Sequence, residues 1–179
     1  MSGQTGVDAV GSVLFVCTGK ICRSPIGERV ARGRAATAGL DVSVASAGTG
    51  SRNGWAMHPY SIEVLTENGY DASDFRARYL LPRMLGEVDL VVGLAREHRA
   101  ACQRMMPARW KRMFTLNEFV HLMPLGSFTE IIAGRSQVDT NAEWLDIIDP
   151  MGQPKADFER VFGEIEPAVG RLVEWLQTV

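Results

Sequence analysis

The sequence predicts a three-layer α/β domain, an open parallel sheet with helices on both faces. Three observations point there. Short apolar runs alternate with longer amphipathic stretches, the order expected when each strand crosses over through a helix to a parallel neighbour. The first run, Val13-Leu14-Phe15-Val16, is apolar at consecutive positions, as in a strand covered on both sides. It feeds a short glycine-containing loop and then Ser24-Pro25, a pair suited to a helix start, with serine as N-cap and proline at the first helical position.

The elements follow in order. From Pro25 to about Ala36, Ile26, Val30 and Ala31 alternate with Glu28, Arg29, Arg32 and Arg34 at helical spacing, and Gly39 marks the exit. Val42 to Ala45 is a second strand. Residues 59 to 68 read as a helix opened by Pro59 and stopped by Asn68-Gly69. The run from Val88 to Gly93 is a third strand, Ala95 to Met106 a helix ended by Pro107, and Met113-Phe114-Thr115 a short fourth strand. The stretch from Asn117 to Glu143 is the least regular, and a helix followed by a mobile loop is expected. Residues 156 to 177 form a long amphipathic helix with Phe158, Val161, Phe162, Ile165, Val169, Leu172 and Leu176 on one stripe. Pro167 interrupts that pattern, so a break or kink near Glu166 is expected.

With 179 residues, the chain has the length of one ordinary domain. Residues 12–179 are read as that domain and residues 1–11 as a loose tail. The formal net charge of −2 argues against nucleic-acid or membrane-surface binding, where a basic excess is the rule. No run approaches the ~20 apolar residues needed to span a bilayer, and the first residues lack the cationic start and apolar core of a signal peptide. The odd set Cys17, Cys22 and Cys102 suits a reducing, cytoplasmic compartment. No zinc site is expected, because Cys17 and Cys22 have no second pair and His58, His98 and His121 are scattered.

The chemistry is concentrated in Cys17-Thr18-Gly19-Lys20-Ile21-Cys22-Arg23-Ser24-Pro25. This loop leaves the carboxyl end of a strand and enters a helix, which is where open α/β sheets bind ligands. Free amides and the helix dipole favour an anion there. A helix N-terminus and a neighbouring cation also favour the thiolate form of a cysteine, and Arg23 supplies that cation. Its forked donors suit two oxygens of one phosphate. The reading is a Cys17 nucleophile, residues Thr18 to Arg23 around the phosphate, and Ser24 hydrogen-bonding the sulfur. Asp149, stiffened by Pro150, is the candidate general acid, with Asp146 and the more remote Asp139 as competitors. Gly19-Lys20 is not a nucleotide P-loop, because Ile21 follows the lysine and the upstream glycine spacing is wrong.

At these residues the chain resembles the low-molecular-weight protein tyrosine phosphatases. Val-Leu-Phe-Val-Cys-Thr-Gly-Lys-Ile-Cys-Arg-Ser-Pro is very similar to that family's signature. Ser46-Ala47-Gly48-Thr49-Gly50, Arg76-Ala77-Arg78 and Asp149-Pro150 follow in the family's order. The resemblance implies a four-stranded parallel sheet, no metal or other cofactor, and hydrolysis of phosphotyrosine in proteins through phosphocysteine. Cys17, Arg23 and Asp149 take the nucleophile, phosphate-binding and acid roles. Cys22 takes the place of a second cysteine that can form a protective disulfide with the nucleophile. The implied partner is a phosphorylated protein, with a tyrosine kinase in a bacterial cytoplasm as a candidate. Thiol-dependent arsenate reductases need further, closely spaced redox cysteines, absent here. Protein arginine phosphatases favour threonine where this chain has Ile21.

The sequence departs from the family in three ways. Lys20 and Phe75 stand where the family has an asparagine and a histidine that form one polar network with serines like Ser24 and Ser46, so a different packing solution is expected. Arg52, Trp55 and Met151 are the candidates for the substrate walls in place of the usual aromatic residues. The third departure is the longer 117–143 segment. These departures keep two alternatives open, a phosphatase of a small phosphorylated metabolite and a phosphate-binding module with weakened catalysis.

Overall fold

The computed structural model describes residues 8–19 and 21–179. The expectations placed on Lys20, and on the first seven residues of the tail, lie outside the described residues. The described chain runs β1 (Ser12–Cys17), α1 (Arg23–Thr37), β2 (Ser43–Gly48), α2 (Pro59–Glu67), α3 (Pro82–Glu87) and β3 (Leu90–Gly93). It continues through α4 (Arg96–Met105), β4 (Met113–Thr115), α5 (Leu116–Leu122), α6 (Phe128–Gly134) and α7 (Lys155–Leu176). Four strands form one sheet in the order β2-β1-β3-β4, parallel throughout.

Alternate side chains of each strand face opposite layers. Val13, Phe15, Val44, Leu90, Val92 and Phe114 join the larger core, to which α1, α2, α5, α6 and α7 contribute. Leu14, Val16, Ala47, Val91 and Met113 join a smaller core on the other face, with Leu85 of α3 and Cys102 of α4. Burial on both sides explains why β1 is apolar at every position from Val13 to Val16.

Several expectations are corrected. The helix after the first loop opens at Arg23, with Cys22 as its N-cap residue, so Ser24 and Pro25 lie inside the first turn. Proline is tolerated there because the first-turn amides have no intrahelical acceptor. The serine hydroxyl does other work, described below. Residues 8–11 of the expected loose tail are fastened down. Asp8 Oδ1 accepts from the amide and hydroxyl of Thr129, both at 2.8 Å, and Gly11 N donates to Asp89 Oδ2 at 2.9 Å.

The helix α7 runs through Pro167 without a break. Val161, Ile165, Val169 and Leu172 are all buried on one stripe, and packing on both sides of the proline outweighs one lost hydrogen bond. The 117–143 stretch carries two helices where one was expected. Both open with reciprocal caps, Thr115 with Glu118 and Ser127 with Glu130.

Candidate functional site

The sheet order reverses between β1 and β3, so the carboxyl end of β1 is the switch point at which such sheets take ligands. Cys17 is the last residue of β1, and its loop turns back into α1. Gly19 has φ 117°, and a Cβ there would lie 2.3 Å from Ser51 N, so only glycine fits. Ile21 is left-handed, at φ 55°, which is strained for a β-branched residue and marks a site held by its surroundings. Those surroundings are explicit. Cys17 O accepts from Thr49 N at 2.9 Å, Thr18 O from Gly50 N at 2.5 Å, and Ile21 O from His58 N at 3.2 Å.

Cys17 Sγ lies 2.9 Å from Ser24 Oγ. The sulfur is buried, at a narrow cleft lined by Cys17, Thr18, Gly19, Cys22, Arg23 and Asp149. Cys17 and Cys102 are free thiols. Arg23 is buried and spans two segments. Its Nη1 donates to Ile147 O at 2.7 Å, and its Nη2 lies 3.4 Å from Asp149 Oδ2. The Asp149 carboxylate is 37% exposed, and its Oδ1 accepts from Met151 N at 3.0 Å. One guanidinium thus ties the cysteine loop to the loop carrying the candidate acid.

The two rival carboxylates have other partners. Asp146 accepts from Arg96 N at 2.7 Å, from Arg96 Nε at 3.1 Å and from Arg96 Nη2 at 2.8 Å. Burial alone would raise its pKa, but these hydrogen bonds outweigh burial and hold it below the usual carboxylate range. Asp139 Oδ1 accepts from Asn141 N at 2.9 Å. The segment leading to Asp149 is anchored at three further points. Ile147 N donates to Leu94 O at 2.9 Å, Arg99 Nη2 donates to Thr140 O at 2.8 Å, and Arg96 Nη1 donates to Asn141 O.

The polar network disturbed by Phe75 has been replaced. Ser46 Oγ donates to buried Glu28 Oε2 at 2.5 Å, and Glu28 Oε1 pairs with Arg32 at 2.6 Å. Phe75 is itself buried in the larger core, with the Arg29 guanidinium 5.8 Å from its ring. The expected wall residues have these surroundings. The Arg52 guanidinium stacks over Trp55 at 5.4 Å on the exposed rim, and Met151 is half-buried against the core.

Sequence reasoning passed over His98. Its Nε2 lies 2.9 Å from Thr18 Oγ1, so it buttresses the first loop residue after the cysteine. It is 1% exposed, and its Nδ1 has no hydrogen-bond partner among the described residues. Burial first, and then the nearby Arg23 charge, push its pKa down to about 4, so it is neutral near pH 7. The signal was positional, since α4 begins just after β3 and its first turn reaches the same sheet edge as Cys17. Gly93 permits the close approach, because a Cβ there would lie 3.1 Å from His98 Cβ.

Fold and loop define a class, an open parallel α/β protein with a cysteine and an arginine at its switch point. Residues 12–125 match the model of the family described as low molecular weight phosphotyrosine protein phosphatase, and the chain belongs to that family. It is 35% identical to a low molecular weight protein-tyrosine-phosphatase of Streptomyces coelicolor, covering 87% of each chain. It is 28% identical to a protein-arginine-phosphatase of Bacillus subtilis over 92% of this chain and 96% of that one. The crystal structure of the low molecular weight protein tyrosine phosphatase from T. tengcongensis superposes with a TM-score of 0.75 at 30% identity, covering 91% of this chain and 97% of that one. Among the described residues no helix is long and apolar enough to cross a membrane.

Proposed function

We propose that this protein hydrolyses phosphotyrosine in other proteins, with Cys17 as nucleophile and Asp149 as general acid. The observation that carries the reading is the convergence at one cleft of the Cys17 sulfur, the Ser24 hydroxyl 2.9 Å from it, and Arg23 paired with Asp149 at 3.4 Å. The Cys17 thiolate attacks phosphorus in line, forming an S–P bond as the P–O bond to the tyrosine breaks. Asp149 gives its proton to the departing phenolic oxygen. Arg23 and the first-turn amides of α1 hold the equatorial oxygens as charge spreads over them. Water then attacks phosphorus with Asp149 as base, the S–P bond breaks, and Ser24 donates to the returning thiolate. Inorganic phosphate leaves, and each step balances with water alone.

The family and the two relatives named as tyrosine phosphatases support this reading, as does Ile21 in place of the threonine favoured by arginine phosphatases. A bacterial cytoplasm, with the enzyme opposing a tyrosine kinase, is the setting that fits it. The test is hydrolysis of a phosphotyrosine peptide beside a phosphoarginine peptide and a sugar phosphate. Wild type is expected to favour phosphotyrosine, Cys17→Ser to turn over none of them, and Asp149→Ala to lose ~100-fold or more on the peptide. Full turnover by Cys17→Ser would reject the mechanism. Preference for phosphoarginine or the sugar phosphate would reject the substrate.

A further inference from the structure

The rim beside β2 is a ribbon made of residues 51–55 and 76–79. Gly54 N donates to Ala77 O at 2.9 Å, and Ala77 N donates to Trp55 O at 2.8 Å. Tyr79 N adds a bond to Asn53 Oδ1 at 2.9 Å. The ribbon is fastened to the end of β2, where Gly48 N donates to Arg78 O and Leu80 N to Gly48 O, both at 2.9 Å. Cys17 is the register partner of Gly48, and Gly48 bridges to Tyr79. The ribbon therefore lies two strand spacings from the sulfur, ~10 Å.

Its outer face is cationic. Phe75 and Ala77 are buried while Arg76 and Arg78 are exposed, the period-two alternation that puts both arginines on one side. Residues 51–55 and 76–79 hold three arginines and no carboxylate, in a chain whose net charge is −2. Among the described residues Arg52, Arg76 and Arg78 form no ion pair. Arg52 lies over Trp55, and Arg76 Nη1 donates only to Phe75 O. Trp55 and Tyr79 are each 44% exposed, so the surface joins free arginines to exposed aromatics, the composition of a protein-binding patch. The opposite lip, beyond β3, differs. Asp146 and Asp149 there already have arginine partners, and exposed Glu97 adds negative charge.

Building on the phosphotyrosine reading, we propose that this ribbon recognises acidic residues flanking the phosphotyrosine. The favoured partner is thus a protein segment with aspartates or glutamates within about three residues of the modified tyrosine, the reach of ~10 Å of extended chain. Exposed Glu97 on the far lip repels the same residues, so the peptide docks in one direction.

The test compares kcat/KM for a phosphotyrosine peptide with acidic flanks, its glutamine-substituted counterpart, and p-nitrophenyl phosphate. Wild type is expected to favour the acidic peptide about fivefold at low salt, with the preference shrinking as salt rises. The double variant Arg76→Gln/Arg78→Gln is expected to lose that preference. It should keep p-nitrophenyl phosphate hydrolysis within about twofold of wild type, since both side chains are exposed. Equal wild-type rates on the two peptides, or an equal loss on both in the variant, would overturn the ribbon's role alone. Wild-type protein that hydrolyses p-nitrophenyl phosphate but neither peptide would overturn the phosphotyrosine reading, and this role with it.

Discussion

Arg96 holds Asp146 through its backbone amide and two guanidinium nitrogens, three residues before the candidate acid. The pair stands at the start of α4 and fixes the loop that delivers Asp149 to the cleft. Asp146→Asn or Arg96→Ala is expected to mislay the acid without touching the nucleophile. A misplaced general acid hurts poor leaving groups most. The loss on phenyl phosphate is therefore expected to be about tenfold, with little change on dinitrophenyl phosphate. A loss equal on both substrates would mean that the pair only supports the fold.

Gly19→Ala tests the cysteine loop. The added Cβ would meet Ser51 N at 2.3 Å on a backbone with φ 117°. Backbone atoms cannot swing aside as a side-chain tip can, so the loop must shift. Activity is expected to fall ~100-fold or more, since small displacements of reacting groups carry such penalties. Thermal melting should drop by several degrees.

His98 makes stability depend on pH. Its folded pKa of about 4 lies below the ordinary value of 6.5. Above pH 6.5 both the folded and the unfolded states hold it neutral, and its contribution is fully present. Between 6.5 and about 4 the unfolded chain takes up a proton that the folded chain refuses, so stability falls as pH falls. The loss across that window is on the order of 3 kcal/mol. Denaturant unfolding of wild type and His98→Gln at several pH values should show a slope in the wild type that the variant lacks. Parallel profiles would contradict the assignment.

Glu118 is fully buried between Arg99 Nη1 at 2.8 Å and Arg135 Nε at 3.0 Å. The two arginines extend the network to Thr140 O and Met113 O. Removing the carboxylate leaves two guanidinium groups uncompensated, so Glu118→Ala is expected to destabilise by about 3–5 kcal/mol, read as a lower denaturant midpoint.

Much of this was legible in the sequence. Val13 to Val16 announced a doubly covered strand because every position had to be apolar. The Cys17 loop was legible because a strand, a glycine, an arginine and a Ser-Pro pair stood in one short run. The N-cap was misassigned because Ser24 is suited both to capping and to contacting a sulfur, and only the tertiary position of Cys17 decides between them. α6 shows no apolar periodicity because it has only seven residues, although Ser127 and Glu130 carry the capping-box spacing. His98 and Arg96 stayed hidden for another reason. They act on segments some 50 to 80 positions away in sequence, and no local pattern encodes a contact of that range. The exchange of the expected network for Ser46–Glu28 was beyond reach for the same reason, since Glu28 read only as one charged residue of a helix.

The central claim is that phosphate is carried on the sulfur of residue 17. Rapid acid quenching of wild-type enzyme during turnover of a phosphotyrosine peptide, followed by proteolysis and mass spectrometry, tests it directly. The expected result is one phosphoryl group on the peptide bearing Cys17, appearing within the first turnover and decaying as substrate runs out. Steady turnover with no phosphoryl group on Cys17 at any time point would contradict the account.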